Sequence, residues 1–347
     1  MSARVKIVLL GTGHMGAGIG TLILKKKGMV LAGAVGRRKE RAGRDLGEIF
    51  NLETRLDIPL SADLDKLLKA TRPDLLIQST CSRLKHAWPE IETTLRNGVN
   101  VISIAEEMSY PWHSSNELAE KINSLAVEHG VTVLGTGINP GFVLDYLIIA
   151  LTSVCLEVDS ITASRVNDLS PYGPSVLKSQ GVGLTPEDFE RGIADGSVMG
   201  HFGFPESISM IAGALGWKIS RIEQTRKPIV SKVKRESPVM TIDPGYTAGC
   251  EHTAIGYIND RAVITLIHPQ QVYPYLEGVA TGDHIMIKGI PAINFSGSPE
   301  IPGGMGTVAL AVNMVPRVLK AKPGLATMAD LPVPAALLGD IREMMRR

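Results

Sequence analysis

The 347-residue chain has few cysteines and no long apolar run, and both absences narrow its class. Its three cysteines, Cys81, Cys155 and Cys250, are far apart and odd in number, so they form neither a metal-type pair nor a disulfide framework. No stretch approaches the ~20 apolar residues of a membrane span, and no apolar signal core precedes the first predicted strand. We therefore expect a protein of the reducing cytoplasm with no membrane partner.

An excess of charge of one sign is also missing. Lysine and arginine number 36 against 35 acidic residues, and the net charge is +1, so no general attraction to nucleic acid is expected. The histidines show no metal-type spacing, and no Gly-x-Ser-x-Gly elbow is present. We therefore predict no metal site, no nucleic-acid partner and no hydrolase of that type.

A glycine-rich turn near the N-terminus carries the first positive signal. The apolar run Val5–Leu10 leads into Gly-x-Gly-x-x-Gly and then into a helical pattern, which is typical of a dinucleotide-binding βα turn. Such glycines permit a tight turn, close approach of the backbone to a pyrophosphate and close helix packing. Ordinary turns also use glycine, but the flanking pattern favours a nucleotide site. The predicted pyrophosphate contacts are Gly11, Gly13, His14, Met15 and Gly16.

The end of the second strand predicts which cofactor binds. NAD-binding folds place an acidic residue there to bind the ribose 2′-hydroxyl, whereas this chain has Gly36-Arg37-Arg38. Two guanidinium groups are suited to a 2′-phosphate, so we predict NADP as the preferred cofactor and NAD as the second choice. The alternative is a merely exposed basic turn.

Alternating strands and helices predict the fold class, which is α/β. Residues 1–145 are expected to form a Rossmann-type, doubly wound parallel sheet, and ligands bind at the carboxyl edge of such sheets. Further cofactor contacts are expected where strands end, at Ser79, Thr80, Ala105 and Asn139. Residues 146–303 predict a second, α+β domain on a mixed sheet, for substrate binding and oligomerisation. A C-terminal helix at about 304–347 is expected to pack back on the first domain.

Two adjacent carboxylates, Glu106 and Glu107, follow the predicted strand Val99–Ala105. Adjacent residues on a strand point to opposite sides, so one carboxylate can face a ligand while the other faces away or caps a structure. A carboxylate among apolar residues is suited to general acid–base catalysis. A solvated acidic turn is the competing interpretation.

Polar residues of the second domain suggest recognition of a zwitterion. Arg165 is suited to a carboxylate and Asp168 to an ammonium group. His201 and His252 are candidates for the lining of the site, although a lone histidine is more often structural. In the loop 137–141, Asn139 either presents its amide to a ligand or belongs to a rigid crossover between domains. The predicted substrate contacts are Asn139, Arg165, Asn167, Asp168, His201 and His252.

Five segments make the chain similar to a known family. They are Asn100–Trp112, Leu134–Val143, Arg165–Pro174, Gly200–Met210 and Glu300–Gly306. Through them the chain resembles the 2,4-diaminopentanoate dehydrogenase family, which belongs to the dihydrodipicolinate-reductase-like oxidoreductases and is related to native amine dehydrogenases. The resemblance runs over nearly the whole chain and is more specific than the glycine turn.

The resemblance implies a reaction. It is the oxidative deamination of the 4-amino group of 2,4-diaminopentanoate to 2-amino-4-oxopentanoate, with NAD(P) as acceptor and ammonia released, in ornithine fermentation. A glutamate after this strand binds the amine and moves protons in related enzymes, and the candidates here are Glu106 and Glu107. The resemblance favours Glu107 as the catalytic residue, because it takes the position of a catalytic lysine in related sugar dehydrogenases. Family members often carry an acidic residue where this chain has Gly36, so NAD preference is in doubt here. The other candidates are an amine dehydrogenase for simple amines, an imine reductase and an NADP-sensing regulator. A homodimer is expected.

Overall fold

The computed structural model describes residues 4–346 and divides the chain into two compact units. Unit 1 consists of Met1–Phe142 and Gly303–Arg347, and unit 2 consists of Val143–Pro302. Residues 1–3 and 347, at the outer ends of the predicted N-terminal domain and of the returning tail, lie outside the described residues. None of the helices within 4–346 is both long enough and apolar enough to cross a membrane.

The strands are β1 Val5–Leu10, β2 Met29–Val35, β3 Leu75–Gln78, β4 Asn100–Ser103, β5 Thr132–Gly135, β6 Glu157–Asp168, β7 Arg221–Val230, β8 Arg235–Glu236, β9 Thr241–Ile242, β10 Thr247–Ile258, β11 Arg261–Gln271, β12 Gly282–Ile290, β13 Ile293–Gly297 and β14 Gly324–Ala326. The helices are α1 His14–Leu24, α2 Leu46–Ile49, α3 Leu64–Thr71, α4 Leu84–Arg96, α5 Pro111–Ser114, α6 Asn116–Glu128, α7 Tyr146–Thr152, α8 Pro174–Ser179, α9 Pro186–Asp195, α10 Phe204–Leu215, α11 Gly303–Asn313, α12 Val315–Leu319 and α13 Ile341–Arg346. Short 3₁₀ helices lie at Lys39–Arg41, Glu106–Ser109, Pro274–Glu277 and Met328–Asp330.

Unit 1 is built on a six-stranded parallel sheet in the order β14-β5-β4-β3-β1-β2. Its strands are apolar and buried, as expected when helices cover both faces of a parallel sheet. The chain leaves β1 to form β2 on one side and returns to form β3 on the other. The strand order therefore reverses between β1 and β3, where open α/β sheets bind their ligands. The predicted Rossmann-type sheet is confirmed.

Unit 2 is built on a six-stranded mixed sheet in the order β13-β12-β6-β11-β10-β7. β6 and β11 run parallel, and every other pairing in this sheet is antiparallel. One face is apolar towards the amino end of β6, at Ile161 and Ala163, and polar towards its carboxyl end, at Arg165 and Asn167. α10 presents a buried apolar face and contacts β10 and β11. The predicted mixed sheet is confirmed.

Two local expectations differ from the structure. The segment after residue 303 is not a single helix, because it forms α11 and α12 and then adds β14 to the edge of the parallel sheet. Pro316 and the turn after Leu319 divide the helical pattern. The strand predicted to reach Ala105 ends at Ser103, and both glutamates that follow lie on a 3₁₀ helix instead. The alternation argument for Glu106 and Glu107 therefore does not apply.

Candidate functional site

The glycine turn of unit 1 has the geometry that a pyrophosphate requires. Gly11 has φ +100°, and a Cβ there would lie 2.7 Å from Ser79 Oγ. A Cβ on Gly16 would lie 2.0 Å from the carbonyl oxygen of Gly11, so both positions exclude any side chain. A Cβ on Gly13, in contrast, would meet nothing within 4 Å, which leaves that face of the turn open to a ligand. Gly11 and Gly16 therefore allow close packing, whereas Gly13 allows a ligand to approach the backbone.

Helix α1 begins at this turn and points its amino end outward. Gly13 is its N-cap, and no side chain among the described residues caps it. The first N–H groups of a helix lack intrahelical partners, and with the helix dipole they favour an anion. His14 is exposed and Met15 half-buried beside them. The residues present therefore fit the diphosphate of a nicotinamide dinucleotide.

A chain of hydrogen bonds runs along the carboxyl edge of the parallel sheet. Ser103 Oγ bonds to Gln78 Oε1, and Gln78 Nε2 donates to Thr80 Oγ1 at 2.7 Å. Ser79 Oγ donates to the carbonyl oxygen of Leu10 at 3.1 Å and so ties β3 to the glycine turn. These bonds connect the ends of β4, β3 and β1. The backbone N–H of Ala105 joins the same network through Ser103 Oγ, at 3.1 Å.

The end of β2 is more crowded than the sequence indicates. Gly36 is buried, and a Cβ there would lie 2.9 Å from Leu60 Cδ2. An acidic side chain at this position would have to displace Leu60, which is a packing reason for glycine. Arg38 is exposed, whereas the neighbouring Arg37 turns back onto Thr80 and Glu90. The two arginines are therefore not equivalent.

Glu107 has a structural partner. Its Oε2 accepts the backbone N–H of Leu84 at 2.6 Å, and its own N–H donates to the carbonyl oxygen of Ser82 at 3.2 Å. Leu84 is the first residue of α4, and the N-cap residue Arg83 makes no side-chain cap. The carboxylate of Glu107 thus caps α4, a role that the sequence leaves open for either glutamate. Glu106 is half-buried on the same 3₁₀ helix, and its carbonyl oxygen accepts from Ser109 Oγ.

The loop after β5 is tightly folded. A Cβ on Gly141, which has φ +121°, would lie 2.4 Å from the nitrogen of Gly137. The N–H of Ile138 donates to Thr307 Oγ1 at 3.1 Å. Asn139 is half-buried within this loop and precedes a cis proline. The loop ends just before the boundary between the two units, so its rigidity agrees with a crossover as well as with a binding loop.

In unit 2 a row of polar side chains crosses the sheet. His252 pairs with His268 between β10 and β11, and Arg165 pairs with Asp283 between β6 and β12. The pairing of Ile267 with Ser164 places His268 beside Arg165. All four residues of the row are at most 3% exposed. Small-molecule sites in proteins commonly have a few buried polar groups among apolar residues, and these groups determine which ligand binds.

Arg165 and Asp168, which are predicted to bind a zwitterion, both have partners inside unit 2. Arg165 Nη1 lies 2.6 Å from Asp283 Oδ1, and its Nη2 donates to the carbonyl oxygen of Ile301. Asp168 accepts the N–H groups of Ser170 at 2.8 Å and of Tyr273 at 2.9 Å. Both partners of Arg165 are more than 100 residues away in sequence, so no local pattern reveals them.

Three histidines of unit 2 form an aromatic cluster with Phe204. The ring of His201 lies 4.6 Å from Phe204 and 4.8 Å from His268, and Phe204 lies 4.9 Å from His252. Burial, and then the neighbouring His252 and Arg165, hold the pKa of His201 well below its usual range. Burial, His201 and Arg165 do the same to the pKa of His268. These rings are therefore neutral at neutral pH.

His252 completes this cluster as a third neutral ring. Burial first, and the positive charge of Arg226 second, lower its pKa to about 3. Two glutamine oxygens near these rings, Gln180 Oε1 and Gln270 Oε1, are buried without a hydrogen-bond partner among the described residues. The amide of Gln180 donates to the carbonyl oxygen of Gly200, and a Cβ on Gly200 would lie 2.9 Å from His252 Nδ1. Since buried polar atoms are nearly always paired, these oxygens are candidates for hydrogen bonds to a ligand or a bound water.

Asn167 and His268 bind each other, at 2.9 Å between Oδ1 and Nε2.

Sequence reasoning did not single out His268, Gln270, Asp283 or Glu90. The alternation Leu266, His268, Gln270 along a strand could have revealed the first two, because it places polar side chains on buried positions. Within residues 4–346 no cluster of three or more His, Cys, Asp or Glu side chains is arranged to hold a metal ion.

Comparison with known proteins agrees with these features. Residues 142–347 match the family model of the 2,4-diaminopentanoate dehydrogenase C-terminal domain, and residues 5–104 match that of the dihydrodipicolinate reductase N-terminus. The chain is 44% identical over 343 residues to 2,4-diaminopentanoate dehydrogenase of Acetoanaerobium sticklandii, covering 99% of this chain and 97% of the relative.

Two amine dehydrogenases are also similar to the chain. That of Streptomyces virginiae is 23% identical over 96% of this chain and 98% of its own. The solved structure of amine dehydrogenase from Mycobacterium smegmatis has a TM-score of 0.84 at 25% identity, over 96% of this chain and 97% of that one. The fold described above is therefore that of known dehydrogenases.

Proposed function

Because this chain belongs to the 2,4-diaminopentanoate dehydrogenase family, we propose that it oxidatively deaminates the 4-amino group of 2,4-diaminopentanoate. The products are 2-amino-4-oxopentanoate and ammonia, and the reverse reaction is a reductive amination. The chain is a nicotinamide-dinucleotide-dependent oxidoreductase of the amine and amino-acid dehydrogenase group. Its place in metabolism, under this proposal, is cytoplasmic ornithine fermentation.

Unit 1 binds the cofactor in this proposal. The observation that carries the assignment is the open face at Gly13 in front of an amino end of α1 that no described side chain caps. Arg38 and Arg37, at the end of β2, favour NADP, and NAD is the second choice. The proposed contacts are Gly11, Gly13, His14, Met15 and Gly16 for the pyrophosphate, Gly36, Arg37, Arg38 and Thr80 for the adenosine, and Ser79, Ala105 and Asn139 towards the nicotinamide.

A glutamate carboxylate is the general base of the proposed reaction. We transfer the role of general base from Glu107 to Glu106, because Glu107 holds the amino end of α4. Glu106 takes a proton from the substrate's 4-ammonium group, so that the nitrogen lone pair can assist loss of hydride from the adjacent carbon. The oxidised nicotinamide, when bound, supplies the hydride acceptor. After it has released this proton to solvent, the same carboxylate takes a proton from the water that attacks the substrate iminium and returns it to the nitrogen of the carbinolamine, so that the C–N bond breaks and ammonia leaves.

Unit 2 recognises the diamino acid through neutral groups. Asn167, His201, His252 and the newly identified His268 and Gln270 offer hydrogen bonds on one face of the mixed sheet. Arg165 acts through its charge, which already lowers the pKa of His201 and His268, and holds its position through Asp283. A positive field beside neutral donors favours the substrate carboxylate. We therefore propose that Arg165 and Asp168 shape this face and do not clamp the substrate directly.

A substrate panel tests this function. Formation of NADPH or NADH is followed at one enzyme concentration with 2,4-diaminopentanoate, ornithine and simple primary amines. We expect turnover with 2,4-diaminopentanoate to exceed that with the simple amines by at least tenfold in kcat/KM, because only the former has a carboxylate for the field of Arg165. Equal rates with simple amines would favour a general amine dehydrogenase. Cofactor binding without turnover of any of them would favour a nucleotide sensor.

The second face of the mixed sheet is suited to pairing with another copy of the chain. Here the side chains of Met286, Thr162, Thr265 and Ile255 stand in one row, and all are partly or fully exposed. We propose that two copies bury this face against each other. Light scattering is expected to give twice the chain mass of 37.2 kDa, and Met286→Glu to shift it towards one chain mass. A wild-type protein at the single-chain mass would contradict the proposal.

A further inference from the structure

Arg37, at the end of β2, is held by a carboxylate that comes from another element. Its Nε donates to Glu90 Oε1 at 2.9 Å, and its Nη2 lies 2.8 Å from the same oxygen. Thr80 joins the group, since its Oγ1 accepts from Arg37 Nη2 at 3.2 Å and donates to Glu90 Oε2 at 2.7 Å. The three side chains form a closed triangle of hydrogen bonds at the adenosine end of the proposed nucleotide site.

Glu90 reaches this place from the second turn of α4. Its side chain is 19% exposed, whereas that of Arg37 is 51% exposed. The position of α4 is set at its amino end by Glu107. The acid that a dinucleotide fold commonly places at the end of β2 is thus absent at Gly36, and a carboxylate is supplied instead from a helix that follows β3.

The carboxylate engages the edge of the guanidinium that a phosphate would use. Arginine binds phosphates through pairs of parallel N–H groups, and Nε with Nη2 is such a pair. In Arg37 both of these groups point at Glu90 Oε1. A 2′-phosphate would have to displace this oxygen and would also meet a like charge. A 2′-hydroxyl meets neither obstacle, because it can donate to the second oxygen of the carboxylate.

We propose that Glu90 is a cofactor-specificity residue, which restrains binding of the 2′-phosphate of NADP and supports the 2′-hydroxyl of NAD. The inference rests on the proposed nucleotide site of unit 1 and adds the residue that sets its selectivity. Arg37 is then partly neutralised, and the exposed Arg38 is the cation that meets a 2′-phosphate first. The two arginines favour NADP, but Glu90 reduces the difference in affinity between NADP and NAD in the wild-type chain.

Glu90→Gln tests the inference, because it keeps the shape of the side chain and removes the charge. Dissociation constants are measured by calorimetry for NADP⁺, NAD⁺, 2′,5′-ADP and 5′-AMP, so the readout does not depend on turnover. We expect Glu90→Gln to lower the dissociation constants of 2′,5′-ADP and NADP⁺ by about fivefold. This factor corresponds to the free energy of a partly exposed ion pair, which no longer competes with the phosphate for Arg37. Binding of 5′-AMP and NAD⁺ is expected to stay the same or to weaken.

Glu92→Gln is the matched control. Glu92 lies on the same helix as Glu90 but pairs with Arg96. The substitution removes the same charge as Glu90→Gln. Glu92→Gln should leave the ratio of the dissociation constants of NADP⁺ and NAD⁺ unchanged. The double variant Arg37→Gln with Glu90→Gln should lose the tighter binding of 2′,5′-ADP and NADP⁺ that Glu90→Gln alone produces. An unchanged ratio in Glu90→Gln, or weaker binding of 2′,5′-ADP, would overturn the role of Glu90 alone. Failure of all four ligands to bind the wild-type chain would overturn both this role and the proposed nucleotide site.

Discussion

Glu106→Gln is expected to lower kcat for 2,4-diaminopentanoate by about 10²–10⁴-fold, the usual contribution of a general base. The amide keeps the shape of the side chain but cannot take a proton from the substrate ammonium. Because Glu106 lies outside the glycine turn and the β2 end, the dissociation constants of NADP⁺ and NAD⁺ should change by less than about twofold. Initial rates of NADPH formation and calorimetric titration with the cofactor give the two quantities.

Glu107→Gln is the control for this prediction. Its amide oxygen can still accept the N–H of Leu84, so α4 keeps its cap and we expect at most a few-fold loss of kcat. Glu107→Ala, which removes the cap, should lower thermal stability, with a cost of about 0.5–2 kcal/mol typical of a lost N-cap. If Glu107→Gln loses turnover and Glu106→Gln keeps it, Glu107 is the base, as its position in the sequence predicts.

Asp283→Ala is expected to destabilise the protein by about 3–5 kcal/mol, because it leaves Arg165 buried without its counter-charge. The side chains of the pair are 2% and 4% exposed, so water cannot replace the lost partner. Asp283 also accepts the N–H of Ile301 at 2.9 Å, and the substitution breaks that bond as well. Urea unfolding followed by circular dichroism measures the free energy of unfolding.

Two further variants separate the charge from the packing. Lys121→Ala breaks an exposed helical ion pair with Glu117 and should cost less than about 1 kcal/mol. Replacement of both buried partners, Arg165→Met with Asp283→Leu, should recover much of the loss, since no unpaired charge remains. A cost below about 1 kcal/mol for Asp283→Ala would show that Arg165 is not held by Asp283, and direct contact with the substrate carboxylate would again be the better assignment.

Much of unit 1 follows from local patterns. Periodicity places the strands of the parallel sheet, and the glycine spacing places the turn between β1 and α1, because both depend on neighbours within a few residues. The resemblance through five segments identified the family, which the comparisons confirm. The mixed sheet of unit 2 was also predicted.

The roles of individual side chains were less predictable. Arg165 has the chemistry of a carboxylate clamp, yet Asp283, 118 residues later, pairs with it. Glu107 has the position of a catalytic residue, yet it caps a helix that begins 23 residues earlier. Each of these outcomes depends on a long-range contact, and neither residue's own neighbourhood contains any sign of it.

The sequence by itself determined the fold class, the family and the nucleotide-binding turn of this protein, since these depend on hydrophobic periodicity, glycine placement and extended similarity. Only the tertiary structure decided which charged groups pair with one another, as Arg165 does with Asp283. The physical reason is that a charge is neutralised by whatever folds against it. For Arg37 that group is Glu90, which arrives from a helix 53 residues further along the chain.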